Sequence, residues 1–362
     1  MKILLLGDYS NVHATLAEGL RALGHQVTVA SNGDFWKNYP RDIDLARTPN
    51  HWGGIRIMAK VATLLPRFRG YDVVQLINPM FIELQAERIL PIYRYLRRHN
   101  RKMFLGAFGM DYYWVNECTQ RRHLRYSDFN IGNQLRTNIE AIREQQEWLG
   151  TQKEKLNRLI ADDCDGIITG LYEYWSCYAP HFPEKTTFIP FPIRPATSFS
   201  TEAHQPVRIF IGINRERSAY KGTDIMLQAA REVEARYPDI MQLQVVESVP
   251  FSQYIHLMEN SDAILDQLYA YTPSMNPLEA MKKGIICIGG GEPENYEIIN
   301  ETELRPIINV EPTKESVVNA LEQLVLHPEL IPELKRQSVE YICRHHDYLK
   351  VARQYLNFWN SK

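Results

Sequence analysis

Apolar residues along this chain fall into short, almost unbroken runs, and between the runs they recur at every third or fourth position. Residues 2–6, 26–30, 72–76, 102–108, 166–169 and 187–189 are such runs, bounded by polar or turn-forming stretches. Continuous apolar runs of this length predict strands buried on both faces, as in a parallel sheet. After the first run, Val12, Leu16, Leu20 and Leu23 share one helical face, and Gly24 closes the helix. Past Pro190-Phe191-Pro192 and a polar stretch over 195–205, the alternation begins again. Strands are expected at 208–213, 242–246, 263–266, 285–288 and 307–310, and helices at 223–236, 251–259, 277–283 and from Thr313. The rhythm predicts α/β architecture: two Rossmann-like, doubly wound parallel-sheet domains, 1–195 and 196–344. Ligands bind beyond the carboxyl ends of such strands, so two sheets facing each other make a cleft.

Composition narrows the class. The chain has 362 residues, 44% hydrophobic and 23% charged, as expected of a globular protein with two cores. No stretch reaches the ~20 apolar residues of a membrane span. The opening apolar run is broken by Gly7 and Asp8, too soon for a signal peptide, so it reads as a first strand. Five cysteines (118, 164, 177, 287 and 343) show neither paired nor zinc-site spacing, which fits reduced thiols and a cytoplasmic setting. Residues 1–200 carry 25 Lys and Arg against 20 Asp and Glu, and the remainder 16 against 23. The basic excess is small and lacks a binding module, so no nucleic-acid partner is expected.

The densest chemistry lies between Asp266 and Gly284. A strand ends at Asp266, a turn follows, and Pro277 sits near the first helical position. The amides of Ser274, Met275 and Asn276 at that helix start suit phosphate oxygens. Glu279 follows; it either balances the helix dipole or accepts a hydrogen bond from a ribose hydroxyl. A second cluster, 212–224, places Arg215, Arg217 and Lys221 before Gly222, between a strand and a helix. Such cations are what a departing diphosphate needs.

Together, Lys221-Gly222-Thr223-Asp224 and the later Leu278-Glu279-Ala280-Met281-x-x-Gly284 resemble glycosyltransferase family 4, of the two-domain GT-B type. The resemblance extends over the chain, including Gly24-His25-x-Val27-Thr28-Val29 and Gly109-Met110-Asp111. It implies that Arg215 or Arg217 together with Lys221 holds a donor diphosphate, that Glu279 holds the ribose, and that Val249-Pro250 faces the base. It also implies a UDP- or GDP-sugar donor, a glycan or lipid-linked acceptor positioned by Asp111 and the first loop, and retention of configuration. The final helix, about 345–362, would cross back to the first domain. No permanently bound cofactor and no metal are expected, because basic side chains and a helix start neutralise the diphosphate. The family carries a further glutamate eight residues before Glu279, where this chain has Tyr271. That departure keeps two other readings open: a sugar-nucleotide epimerase, and a nucleotide-sugar-binding protein weak in transfer. A nicotinamide dehydrogenase is disfavoured, since no Gly-x-Gly-x-x-Gly follows either opening strand.

Other features carry weaker expectations. Asp163-x-Asp165 reads as a helix-end charge cluster rather than a metal site, and His13, near the cleft mouth, as a surface histidine in preference to an acceptor contact. Gly289-Gly290-Gly291 gives close backbone access near Glu294, a donor-sugar candidate. Arg56, Lys60, Arg67 and Arg69 punctuate an apolar stretch, and Arg94, Arg97, Arg98, Arg101 and Lys102 cluster beyond it. Both fit either solvated basic faces or peripheral contact with a membrane's inner face.

Overall fold

The computed structural model describes residues 1–362 apart from Ser248 and Pro250. The chain opens with strand β1 (Lys2–Leu6), helix α1 (Val12–Ala22), β2 (Gln26–Ser31), β3 (Ile43–Asp44) and α2 (Gly53–Leu64). Next come β4 (Val73–Leu76), α3 (Ala86–His99), β5 (Lys102–Ala107) and α4 (Tyr112–Asn116). A hairpin of β6 (Asn130–Ile131) and β7 (Gln134–Leu135) leads to α5 (Ile139–Trp148) and α6 (Gln152–Asp163). β8 (Gly166–Thr169), α7 (Tyr172–Tyr178) and β9 (Thr186–Phe188) complete the first half.

The second half begins with β10 (Val207–Ile213), the single turn α8 (Ser218–Lys221), α9 (Thr223–Arg236) and β11 (Met241–Glu247). It continues through α10 (Phe251–Glu259), β12 (Ala263–Leu265), α11 (Met275–Met281), β13 (Ile286–Gly289), α12 (Pro293–Ile298) and β14 (Ile308–Asn309). Helices α13 (Lys314–Leu326), α14 (Ile331–Tyr341) and α15 (Tyr348–Ser361) close the chain.

Two parallel sheets result. The first has 7 strands in the order β3-β2-β1-β4-β5-β8-β9, and the second has 5 in the order β11-β10-β12-β13-β14. β1 lies inside its sheet, with Ile3 against Val27 and Val73. Ile3 through Leu6 are wholly buried, which is why this strand reads as an unbroken apolar run. No helix among the described residues is long and apolar enough to cross a membrane.

The last helix returns to the first sheet. Ile193 N–H donates to the His346 carbonyl at 2.7 Å, and Tyr348 N–H to the Ile193 carbonyl at 3.0 Å, so the two connecting segments run side by side. α15 then packs on α1, where Gly19 is required: a Cβ there would lie 2.5 Å from the Tyr348 carbonyl oxygen. Beyond it, the buried Trp359 packs on Phe104.

Two local features differ from the sequence reading. The second-half helix expected from Pro277 begins at Met275, leaving Pro277 within its first turn. The hairpin β6–β7, unanticipated, is knit internally: Ser127 Oγ accepts the Phe129 amide at 3.0 Å, and Asn130 Nδ2 donates to the carbonyls of Leu124 and Gly132, both at 3.0 Å.

Candidate active site

β10 and β12 are neighbours in their sheet, so the loops leaving their carboxyl ends lie side by side. After β10, Asn214 Oδ1 accepts the Glu216 amide at 3.1 Å and caps a tight turn over Arg215–Arg217. This turn separates the two arginines. Arg215, 81% exposed, donates to Glu247 at the end of β11 at 2.6 Å. Arg217 lies 5.3 Å over the Tyr220 ring and repels the Lys221 ammonium. Burial, then Arg217, pulls that ammonium below the ordinary lysine range, with Asp266 and Asp128 opposing.

Gly222 locks this loop. Its φ of +74° is left-handed, and an added Cβ would sit 2.5 Å from Leu268 Cβ and 2.8 Å from the Tyr269 ring. Leu268 N–H donates to the Lys221 carbonyl at 3.0 Å, tying the β10 loop to the β12 loop. Within the latter, burial pushes the Asp266 carboxyl up to about 6 against the pull of Lys221.

Ser274 stands at the N-cap of α11, its hydroxyl approached by Gln267 Nε2 at 3.4 Å. Met275 and Asn276 are the helix's first residues, and Asn276 Nδ2 donates to the Tyr254 hydroxyl at 3.0 Å. Glu279, partly buried, is ion-paired through Oε2 with Lys282. Val249 packs on the small cluster of Phe210, Val246, Ile264 and Ala280. Pro250 lies outside the described residues. The three glycines serve packing: a Cβ on Gly290 would meet the Ala270 carbonyl oxygen at 2.3 Å, and one on Gly291 would meet Ile307 at 2.7 Å.

The first sheet presents its own loops to this region. Ser10 and Asn11, both left-handed at φ 50° and 71°, lead into α1. Ser10 N–H donates to Asp34 at 2.9 Å, and Lys37 bridges Asp34 at 2.6 Å and Ser10 Oγ at 3.1 Å. Lys37 is close enough to repel Lys221. The Tyr39 hydroxyl is pushed upward by burial and then by Asp34, Glu279 and Asp8. The loop after β2 therefore spans both halves of the candidate site.

His13 is a correction: the structure buries it completely rather than leaving it at the surface. Its Nδ1 lies 2.7 Å from the Gly7 carbonyl, which fixes the proton on that nitrogen, and burial pulls the imidazole down to about 4. Asp8 accepts the amides of His13 and Ala14 at 3.0 and 3.1 Å, and burial pushes its carboxyl up to about 7. Asp111 caps α4 through the Trp114 amide at 2.9 Å and accepts from the Tyr178 hydroxyl at 2.7 Å; burial lifts it to about 7. Asp163 and Asp165 are engaged by Tyr93 and Arg97. Among the described residues, no group of three or more His, Cys, Asp or Glu is gathered as metal ligands would be.

Tyr271 and Glu294 link the two halves together with residues the sequence reading passed over, among them Arg125, Tyr126 and Glu173. Tyr271 is buried, its ring 4.8 Å from Tyr126 and 5.8 Å from Tyr172, with the Arg125 guanidinium 4.9 Å above it. Its hydroxyl accepts the Arg125 amide at 2.8 Å. The Arg125 side chain pairs with Glu292 at 2.7 Å and with both oxygens of Glu294. Burial pushes the Glu294 carboxyl up, but Arg125 outweighs it and holds the group below the usual range. Glu173, at the start of α7, accepts the amides of Tyr271 and Thr272 at 2.5 and 3.1 Å. The one available signal was Gly132-Asn133 between two short extended pairs, a hairpin turn.

No family model matches the chain, and no curated protein matches it in sequence. Among solved structures it is similar to sucrose-phosphate synthase from Thermosynechococcus elongatus, with a TM-score of 0.65 and 14% identity over 100% of this chain and 99% of that one. WaaG, a glycosyltransferase involved in lipopolysaccharide biosynthesis, matches at TM-score 0.61 and 11% identity over 100% of both chains. Anabaena HepE, solved with UDP-glucose, matches at 0.59 and 12% over 100% of both. These likenesses show the fold, which is the two-domain GT-B architecture of glycosyltransferases.

Proposed function

We propose that this chain is a glycosyltransferase that moves a hexosyl unit from a UDP- or GDP-linked sugar to a glycan or lipid-linked acceptor. Its setting would be surface polysaccharide or glycoconjugate synthesis on the cytoplasmic side of a membrane. The observation that carries the reading is the pairing of Arg217 with Lys221 on the β10 loop, beside the β12 loop that leads to Ser274 and Glu279.

In this reading Arg217 and Lys221 offset the negative charge that builds on the departing diphosphate. The amides of Met275 and Asn276, which lack helical partners, add donors, and the Ser274 hydroxyl adds another. Glu279 keeps Oε1 for a ribose hydroxyl while Oε2 holds Lys282. Val249 lines the base. Arg215, turned to Glu247, contributes long-range charge only. Glu294, clamped by Arg125, forms a wall of the sugar site, and Asp111 sets the acceptor side by holding the start of α4. The bond between the anomeric carbon and the diphosphate oxygen breaks as the acceptor oxygen bonds on the same face. The acceptor proton passes to the diphosphate, and configuration is retained. With two cations at the leaving group, the reading calls for no metal.

Contact with a membrane is supported by one surface. Residues 45–71 carry Arg47, Arg56, Lys60, Arg67 and Arg69 and no acidic residue. Trp52 and Ile55 stand exposed there at 64% and 58%, at the start of α2 and hence near the carboxyl edge of the first sheet.

The test is calorimetric titration of UDP, GDP and their glucose conjugates into native protein and Lys221→Ala. Native binding in the micromolar range with at least a tenfold loss in the variant is expected, about 1.4 kcal/mol. Equal binding by both proteins overturns the phosphate assignment.

A further inference from the structure

We infer that Arg136, on the β6–β7 hairpin of the first half, is a positioning residue for the β10 loop, so that the candidate donor site is complete only when the hairpin is docked. The inference rests on the donor reading of Arg217 and Lys221.

Arg136 Nη1 donates to the Tyr220 carbonyl at 2.9 Å, and Nη2 to the Ala219 carbonyl at 2.6 Å. These are the two peptide groups immediately before Lys221. The same guanidinium lies 3.5 Å from the centre of the Tyr269 ring, and Tyr269 follows Leu268, whose amide holds the Lys221 carbonyl. One planar cation thus grips the loop after β10 and the loop after β12 together. A guanidinium suits this task because its donors form a rigid fork and its face stacks on an aromatic ring. Its own acceptors are carbonyls, and the buried Asp128 carboxyl, which feels Arg217, Arg136 and Lys221 together, offsets part of the positive field these three cations make.

The grip is itself anchored. Arg136 Nη1 also donates to the Ser127 and Asp128 carbonyls at 3.3 and 3.0 Å, within the turn that Ser127 and Asn130 knit. Buried Phe129 stands edge-on between Trp114 of the first half and Tyr220 of the second, 6.3 and 6.1 Å away. Arg136 therefore transmits the position of the first sheet to the peptide units that carry Lys221. A contact serving overall stability alone would not predict a defect localised to this loop.

Arg136→Ala and Arg136→Lys in the full chain test this by two measurements. The first is amide hydrogen exchange over 214–222 without nucleotide, with β10 as internal reference. The second is the dissociation constant for UDP and GDP. In Arg136→Ala we expect exchange in 214–222 to rise about tenfold while β10 is unchanged, and nucleotide affinity to fall about tenfold. Arg136→Lys, able to reach a single carbonyl, should recover part of both. Unchanged exchange in 214–222 overturns the inference, as does a dissociation constant equal to that of native protein. A native chain that bound neither nucleotide would defeat the donor reading, and the exchange measurement would still decide the hold of Arg136 on the loop.

Discussion

Replacing Glu173 by alanine strikes the contact where the first half meets the loop carrying Tyr271. Glu173 is 4% exposed and receives the amides of Tyr271 and Thr272, and its second oxygen accepts the Thr272 hydroxyl. Alanine leaves two buried amides and a hydroxyl without that acceptor. Each stranded amide costs ~1–3 kcal/mol, while the hydroxyl can turn elsewhere. Against this, burial raises the Glu173 carboxyl above its usual range, so deleting the charge returns part of the loss. The net expectation is a destabilisation of ~3 kcal/mol for Glu173→Ala. Glu173→Gln keeps one carbonyl oxygen for both amides and should cost ~1 kcal/mol. Urea titration followed by tryptophan fluorescence reads the midpoint of each variant. If alanine and glutamine have equal midpoints, or alanine matches native, the two amides do not depend on Glu173 and the reasoning fails.

Three further outcomes are expected. Gly222→Ala forces a left-handed φ of +74° and a Cβ 2.5 Å from Leu268, so a loss of ~2–4 kcal/mol in the same titration is expected, and a native-like midpoint refutes it. His13 is held neutral with its folded value at about 4, below the unfolded 6.5, so stability is lost as pH falls from 6.5 toward 4. His13→Asn should therefore show an acid-side loss between pH 7.5 and 5 that is smaller by ~2 kcal/mol; Asp8 and Asp111, raised instead, lose stability as pH rises, but they act in both proteins and cancel in the comparison. Native protein should sediment with vesicles containing phosphatidylglycerol more than with phosphatidylcholine alone, less so at high salt, and Trp52→Ser/Ile55→Ser should bind at least ~10-fold more weakly; identical sedimentation by both proteins refutes the surface.

The legible parts of this molecule are those whose physics is local. β1, β5, β8 and β12 are buried on both faces, so their burial writes itself into consecutive residues. Lys221-Gly222 and Ser274 through Glu279 are likewise contained within single loops. What could not be read depends on distant partners. Arg136 meets a carbonyl 84 positions away and Arg125 a carboxylate 169 positions away, and no periodicity records either. The different directions of Arg215, toward Glu247, and Arg217, toward Lys221, are set by the turn that Asn214 caps, which spacing alone leaves open. His13 misled because a polar residue near a helix start reads as exposed; here the Gly7 carbonyl gives its Nδ1 a partner in the interior.

The tyrosine at 271 follows from that same long-range contact. The position lies where Glu292 and Glu294 already bring two carboxylates to one guanidinium, Arg125, while a third, Glu173, holds the Tyr271 amide. One more carboxylate there would be buried beside a guanidinium already shared by Glu292 and Glu294, and a buried charge without a cation of its own is among the costliest features a fold can carry. Tyrosine meets every demand of the place. Its ring fills the space between Tyr126 and Tyr172, its face receives Arg125, and its hydroxyl accepts the Arg125 amide. The residue by which this chain departs from the family it resembles is thus tied to Arg125 and its hairpin, and neither is expected to change without the other.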